Sequence, residues 1–127
     1  MKIIGTITQQ IESLLNLNLP NDRNIYLGET NIKHMITSHP TDFQKYKDEL
    51  TNILSNPDYV GLNPNDSSIE YVKEYIVDNE YVKVAVRISS GKKFYARSIY
   101  VLNNNRVKNF ISKGTLIKTW QNLNIYV

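Results

Sequence analysis

The chain has 127 residues, a formal net charge of +3, two histidines and no cysteine. That is about one domain, with a core large enough to need no staples, and it excludes disulfides and thiolate zinc sites. The charge permits contact with a phosphate backbone without demanding it.

Met1-Lys-Ile-Ile-Gly5 lacks the apolar run of a signal peptide, and no stretch approaches the ~18 apolar residues of a membrane span. Ile7 to Leu19 places Ile11, Leu14 and Leu15 at helical spacing, with Pro20 ending the helix. Asn21-Asp-Arg-Asn24 is turn-rich, and Ile25-Tyr-Leu27 predicts a short strand stopped at Gly28. Thr30 can cap a helix carrying Ile32, Met35 and Ile36 on one side. Pro40 biases His39 out of helical geometry, so His39 belongs at the end of that helix. Thr41 or Asp42 can cap a second helix, with Phe43, Tyr46, Leu50, Ile53 and Leu54 as its buried stripe, ended by Asn56-Pro57. Tyr59 to Leu62 reads as extended, and Asn63 to Ser68 as a loop.

Three strands follow, Ile69–Val77, Tyr81–Ser89 and Lys93–Leu102, with turn signals at Asp78-Asn79 and Ser90-Gly91. Val82, Val84, Val86 and Ile88 alternate, which turns Lys83, Ala85, Arg87 and Ser89 the other way. In the third strand Phe94, Ala96, Ser98, Tyr100 and Leu102 are expected on one face, with Lys93, Tyr95 and Arg97 on the other. Asn103-Asn-Asn105 breaks the sheet. Val107, Phe110 and Ile111 have helical spacing, Gly114 is a helix stop, and Thr115 to Trp120 and Leu123 to Val127 read as extended. Helices first and an antiparallel sheet second make an α+β domain. Nothing divides residues 1–127 into two domains.

If Val77 pairs with Glu80, Glu74 lies opposite Lys83 and Glu70 opposite Arg87. A three-residue turn at Ser90-Gly91 sets Arg87 near Tyr95 and Ala85 near Arg97. One face then holds Glu70, Glu74, Lys83, Arg87, Tyr95 and Arg97, while Lys73 is awkwardly turned toward the core. A carboxylate beside two arginines suits cleavage of RNA: the base takes the 2′-hydroxyl proton and fixed cations stabilise the charged transition state. Cross-strand ion pairing on a solvated face, worth a few tenths to about 1 kcal/mol per pair, would give the same pattern. Nine tyrosines suit strand surfaces and can also stack on bases.

His34 and His39 are the only side chains with an ordinary pKa near neutrality. They are about 140° apart around a helix, so at most one is expected to transfer protons, and His34 is the first choice. The alternative is a pair of helix histidines bonded to backbone. Ser112-Lys-Gly-Thr115 offers an ammonium, a hydroxyl and a glycine that lets backbone approach a phosphate, a pattern that an ordinary helix end would share. Two-metal cleavage needs converging carboxylates. Here Asp22, Glu29, Asp42, Asp48, Glu49, Asp58 and Asp66 are scattered, so neither metal nor cofactor is expected.

Several segments together carry a resemblance: Ile32-Lys-His34 with His39-Pro40, Asn56-Pro-Asp-Tyr-Val60, Val84-Ala-Val-Arg87, Tyr95-Ala-Arg97-Ser-Ile-Tyr100 and Phe110-Ile-Ser-Lys-Gly-Thr115. In this order they resemble the phage- and mobile-element-associated nuclease-like domains of the barnase–EndoU–colicin–RelE superfamily, over residues 25 to 120, with residues 1–24 as an N-terminal extension. The resemblance implies helices packed on a curved antiparallel sheet whose open face binds RNA, with metal-independent cleavage as the usual activity. The implied catalytic groups fall on a helix histidine (His34), Arg87 or Arg97, and Lys113 or Thr115; the reading of the residues themselves adds His39 and Glu70 as candidates. Lys83, Lys93 and Tyr95 are the expected RNA contacts. The leading expectation is a cytoplasmic endoribonuclease, a toxin or phage effector acting on tRNA or mRNA, with a cognate inhibitor or immunity protein as a further partner. The alternative is a non-catalytic domain of the same shape that binds nucleic acid or protein.

Overall fold

Alternation buries Val82, Val84 and Val86 on one side of a central strand, and the computed structural model, which describes residues 1–119, builds a sheet outward from it. Seven strands are present among the described residues: β1 (Lys2–Thr6), β2 (Asn24–Leu27), β3 (Tyr59–Leu62), β4 (Ile69–Tyr75), β5 (Glu80–Ile88), β6 (Phe94–Leu102) and β7 (Leu116–Lys118). Their order is β1-β2-β6-β5-β4-β3-β7. Neighbours are antiparallel except β2 and β6, which pair in parallel at Ile25↔Phe94 and Tyr26↔Tyr95. The sheet is therefore mixed, which corrects the expectation of a purely antiparallel one. The long excursion between β2 and β6 supplies the crossover that a parallel pair needs.

The first 24 residues supply part of this sheet. β1 forms its edge beside β2, and Gly5 falls at an irregularity in their pairing. Helix α1 (Gln9–Leu15) is shorter than Ile7–Leu19, because Asn16 ends it in the left-handed conformation at φ 53°. Helix α2 (Glu29–Ser38) starts with the Asn31 side chain accepting from the Gly28 N–H. Thr30 is therefore not its cap. The single helix expected after Pro40 is divided into α3 (Pro40–Tyr46), a 3-10 turn at Lys47–Glu49, and α4 (Leu50–Ser55). At that break Tyr46 donates to Glu80, and Glu49 accepts from Tyr75. Asp42 does not cap α3. Its carboxylate instead accepts from the Val101 N–H at 3.0 Å. Helix α5 (Asn104–Ser112) is capped by Asn103 and followed by Gly114 at φ +78°.

Two apolar clusters sandwich the sheet. The larger joins Met35, Tyr46, Leu50, Ile53 and Leu54 of the helices to Tyr71, Val82, Val84, Val86 and Ile99. The smaller lies on the opposite face, where Val107 of α5 meets Val72, Leu102 and Leu116. At roughly 25 cal/mol per Å² of apolar surface removed from water, the larger cluster dominates stability. The smaller one positions α5.

Two corrections of register matter. The β4–β5 turn is longer than expected: Tyr75, not Val77, pairs with Glu80, and Asn79 takes a left-handed φ of 53°. The offset is even, so every residue keeps its face while its partner changes. Lys83 comes to lie opposite Val72, and Ala85 opposite Glu70. Lys73 faces the core side as anticipated, yet it is half-exposed and its Nζ donates to the Asn56 carbonyl at 2.8 Å. In β6 the pairing with β5 slips between Ala85↔Ser98 and Val86↔Ala96. This bulge at Arg97 turns Ile99 into the main core and Tyr100 onto the opposite face. The expected single face of Ser98, Tyr100 and Ala96 is thereby broken.

Candidate active site

On the α5 side of the sheet, a cleft of about 470 Å³ collects residues from β4, β5, β6, β7 and α5 and from the connections between them. Alternation brings Glu70 of β4 and Lys83 of β5 to its floor. Their ion pair is 2.8 Å long, and each side chain is only 12 % exposed. Burial, the largest influence on Lys83, works against its charge. Hydrogen bonds with Glu70 and Tyr100 outweigh that and hold the ammonium above the ordinary lysine range. Lys83 is therefore a fixed cation at neutral pH. Glu70 Oε2 also accepts from Asn63 Nδ2 at 3.3 Å. Removing either partner of the buried pair would leave an uncompensated charge, at a cost of about 3–5 kcal/mol.

Helix α5 supplies one wall. Asn103, Arg106, Phe110 and Lys113 all line the cleft, at spacings of three and four residues that keep them on one helical face. The Arg106 guanidinium lies 5.6 Å from the centre of the Phe110 ring. Thr115 completes this wall just beyond the helix. It reaches the cleft because β7 runs close against Gly61 of β3: a Cβ on Gly61 would overlap the Thr115 carbonyl oxygen. Gly61 pairs with Glu70 on one side and Leu116 on the other, so this glycine sets how closely Thr115 approaches the Glu70 strand.

The opposite wall is aromatic. Tyr100, opposite Lys83 in the ladder, lines the cleft. Lys83 Nζ lies 4.8 Å from its ring centre, and His39 stacks on the same ring at 4.4 Å with an 18° tilt. Pro40 starts α3 and leaves His39 outside helical geometry at the α2–α3 elbow, φ −143° and ψ 68°. His34 is exposed on α2, and its ring lies 3.4 Å from the Ser38 hydroxyl.

The structure thus brings together Glu70, Lys83, Lys113 and Thr115, with His39 one ring away. Arg87, Arg97, Lys93 and Tyr95 lie elsewhere. Arg87 pairs with Asp66 at 3.5 Å, and Lys93 with Asp22 at 3.4 Å. Arg97 and Tyr95 line a separate shallow depression beside Gly28, Thr30 and Asn31. Neither the expected Glu74–Lys83 pair nor the Glu70–Arg87 pair forms, for the reason of register given above.

Sequence reasoning missed Tyr100 and Arg106. For Tyr100 the signal is a slip in the apolar alternation, Phe94 and Ala96 followed by Ile99 and Val101, which marks a bulge. Arg106 stands seven residues before Lys113, two helical turns, on the same face.

Among the described residues no three His, Asp or Glu side chains form a group that could hold a metal, and no helix is long and apolar enough to cross a membrane. Charge in the cleft is dominated by Lys83, Arg106 and Lys113, with Glu70 the one acid among the described residues that line it. An anionic ligand suits such a wall. In comparisons with known proteins, the family described as phage-Barnase-EndoU-ColicinE5/D-RelE like nuclease3 matches residues 1–109. The match includes residues 1–24 and stops short of Lys113 and Thr115. No curated protein and no solved structure matches the chain.

Proposed function

Because the chain belongs to this family of phage-associated, barnase/EndoU/colicin/RelE-type nuclease domains, we propose that it is an endoribonuclease that cuts RNA without a metal ion, in the cleft between α5 and the sheet. The observation that carries this reading is the convergence of Lys83, Arg106, Lys113 and Thr115 on one cleft, with His39 stacked against its aromatic wall.

His39 serves as the proton-transfer group. It accepts the 2′-hydroxyl proton as that oxygen attacks the adjacent phosphorus. Lys83 and Arg106 stabilise the extra charge on the phosphorane, and the Thr115 hydroxyl donates to a phosphate oxygen. The bond to the 5′-oxygen breaks, and that oxygen takes a proton from the Lys113 ammonium. The products are a 2′,3′-cyclic phosphate and a 5′-hydroxyl. Glu70 orients Lys83 rather than acting as base, since its carboxylate is engaged by Lys83 and Asn63. Cellular tRNA or mRNA as substrate, and a role as toxin or phage effector held in check by an inhibitor protein, extend the same proposal.

Incubation of the protein with RNA in EDTA tests it. Cyclic phosphate ends are expected, with no cleavage where the 2′-hydroxyl at the scissile position is replaced by hydrogen. Strict magnesium dependence, or equal cutting of DNA, would overturn the mechanism. The engaged state of Glu70 favours a second reading, a domain that binds nucleic acid without cutting it. Binding without cleavage in that assay would select it.

A further inference from the structure

The α2–α3 elbow sits against the part of β6 that β2 leaves uncovered. β2 pairs with Phe94 and Tyr95, at the start of a nine-residue strand. The elbow meets the strand near its other end, where His39 stacks on Tyr100. The backbone of His39 belongs to both helices. Its N–H donates to the Met35 carbonyl at 3.1 Å and closes α2, while its carbonyl accepts from the Phe43 N–H at 2.9 Å and opens α3. The residue is half-buried, and among the described residues the stack is the contact that orients its ring. A stack at 4.4 Å fixes the tilt of an imidazole better than its place over the partner ring, because offset arrangements are all favourable.

Asp42 supplies the missing constraint. It stands three residues after His39 in the first turn of α3, half-buried, and its Oδ2 accepts from the Val101 N–H at 3.0 Å. Val101 is the neighbour of Tyr100 in β6. A backbone N–H on an uncovered strand edge needs an acceptor, though water would serve. A carboxylate brought in from α3 does more. Its bond is short and directional, and stronger than one to a neutral acceptor. It pins α3 along the length of β6, the direction that the stack leaves loose. The same Tyr100 ring lies 4.8 Å from Lys83 Nζ, so a shift of α3 along β6 would also move His39 relative to that cation.

We propose that Asp42 is a positioning residue for His39: through its bond to the backbone beside Tyr100, it holds the imidazole in register with that ring and with Lys83. This rests on the reading of His39 as the proton-transfer group and names what aims it. In triad-type sites a carboxylate bonds the imidazole directly. Here the carboxylate acts one step removed, through a strand. Misplacing a catalytic group by about 1 Å costs on the order of a hundredfold in rate, so such a bond bears on turnover without touching substrate.

Proton NMR tests the placement apart from the chemistry, since the chain has two histidines and His39→Ala identifies the signals of each. The His39 ring protons are expected upfield of those of the exposed His34, displaced by the Tyr100 ring. Asp42→Ala should lose most of that displacement and lower kcat on RNA about ten- to a hundredfold, with KM within about twofold. Asp42→Asn, which keeps an acceptor oxygen, should recover both. In a His39→Ala background, Asp42→Ala should lower kcat by no more than about twofold, because its effect passes through the missing ring. Asp42→Glu keeps the charge in the first turn of α3 and moves the acceptor out by one methylene, so it should fold and still displace the His39 signals. Unmoved His39 signals in both folded variants, or in Asp42→Glu alone if Asp42→Ala does not fold, would overturn the assignment. So would an equal loss of kcat with and without His39. Should the signals move as described while the wild type cuts no RNA, the nuclease reading falls and the positioning stands. Cleavage in EDTA with unmoved signals is the reverse result.

Discussion

Pro40 decides what His39 can do. By ending α2 and opening α3 it leaves His39 non-helical at the elbow, where the ring meets Tyr100. His34, on the helix proper, is exposed to solvent. On the proposed mechanism, His39→Ala should lower kcat/KM on RNA by about 10²- to 10⁴-fold, the range typical of a lost general acid–base group. His34→Ala should stay within a few fold. Both are to be measured on protein whose thermal unfolding is intact, and the opposite ranking would return the role to His34. The sequence offered both histidines as candidates, with His34 the first choice, and the proline marked His39 as the one redirected. Tyr100 was not, because its direction depends on a bulge that a strictly alternating reading steps over. Glu70, Lys83, Lys113 and Thr115 were legible, the first two because a register offset of two residues leaves faces unchanged.

At the scale of elements, the cleft depends on how closely β7 follows β3. A methyl on Gly61 would meet the Thr115 backbone, which cannot swing aside as a side-chain tip would. Gly61→Ala should therefore cost about 1–3 kcal/mol, read as a fall in Tm of several degrees. Activity should fall as well, because Thr115 is pushed from the Glu70 strand. Gly91, in the β5–β6 loop, is the control: nothing but the Ser89 hydroxyl, at 3.8 Å, approaches its missing Cβ, so Gly91→Ala should change Tm by about a degree or less. A stable, fully active Gly61→Ala protein would show that β7 does not gate the site. The central hairpins, α2 and α5 were legible from periodicity. β1 was not, since a five-residue edge strand packed on one neighbour leaves only a brief pattern. The division of α3 from α4 was also hidden, because Tyr46 and Leu50 keep helical spacing across the break.

The whole molecule joins two unequal parts. β3 to β7 form a run of antiparallel neighbours from one later stretch of chain, whereas β1 and β2 attach to it through two parallel pairs, Ile25↔Phe94 and Tyr26↔Tyr95. Long-range pairing of this kind is slow to form and first to open. Native-state hydrogen exchange should show β4, β5 and β6 amides exchanging most slowly and those of β1 and β2 opening at lower free energy. Uniform protection across all strands would refute that ranking. The cleft is assembled from β4, β5, β6, β7 and α5, all on one side of this seam. The joint that opens most readily therefore lies outside the place where the chemistry is proposed. Such a molecule breathes at its edge between one turnover and the next without unmaking its site.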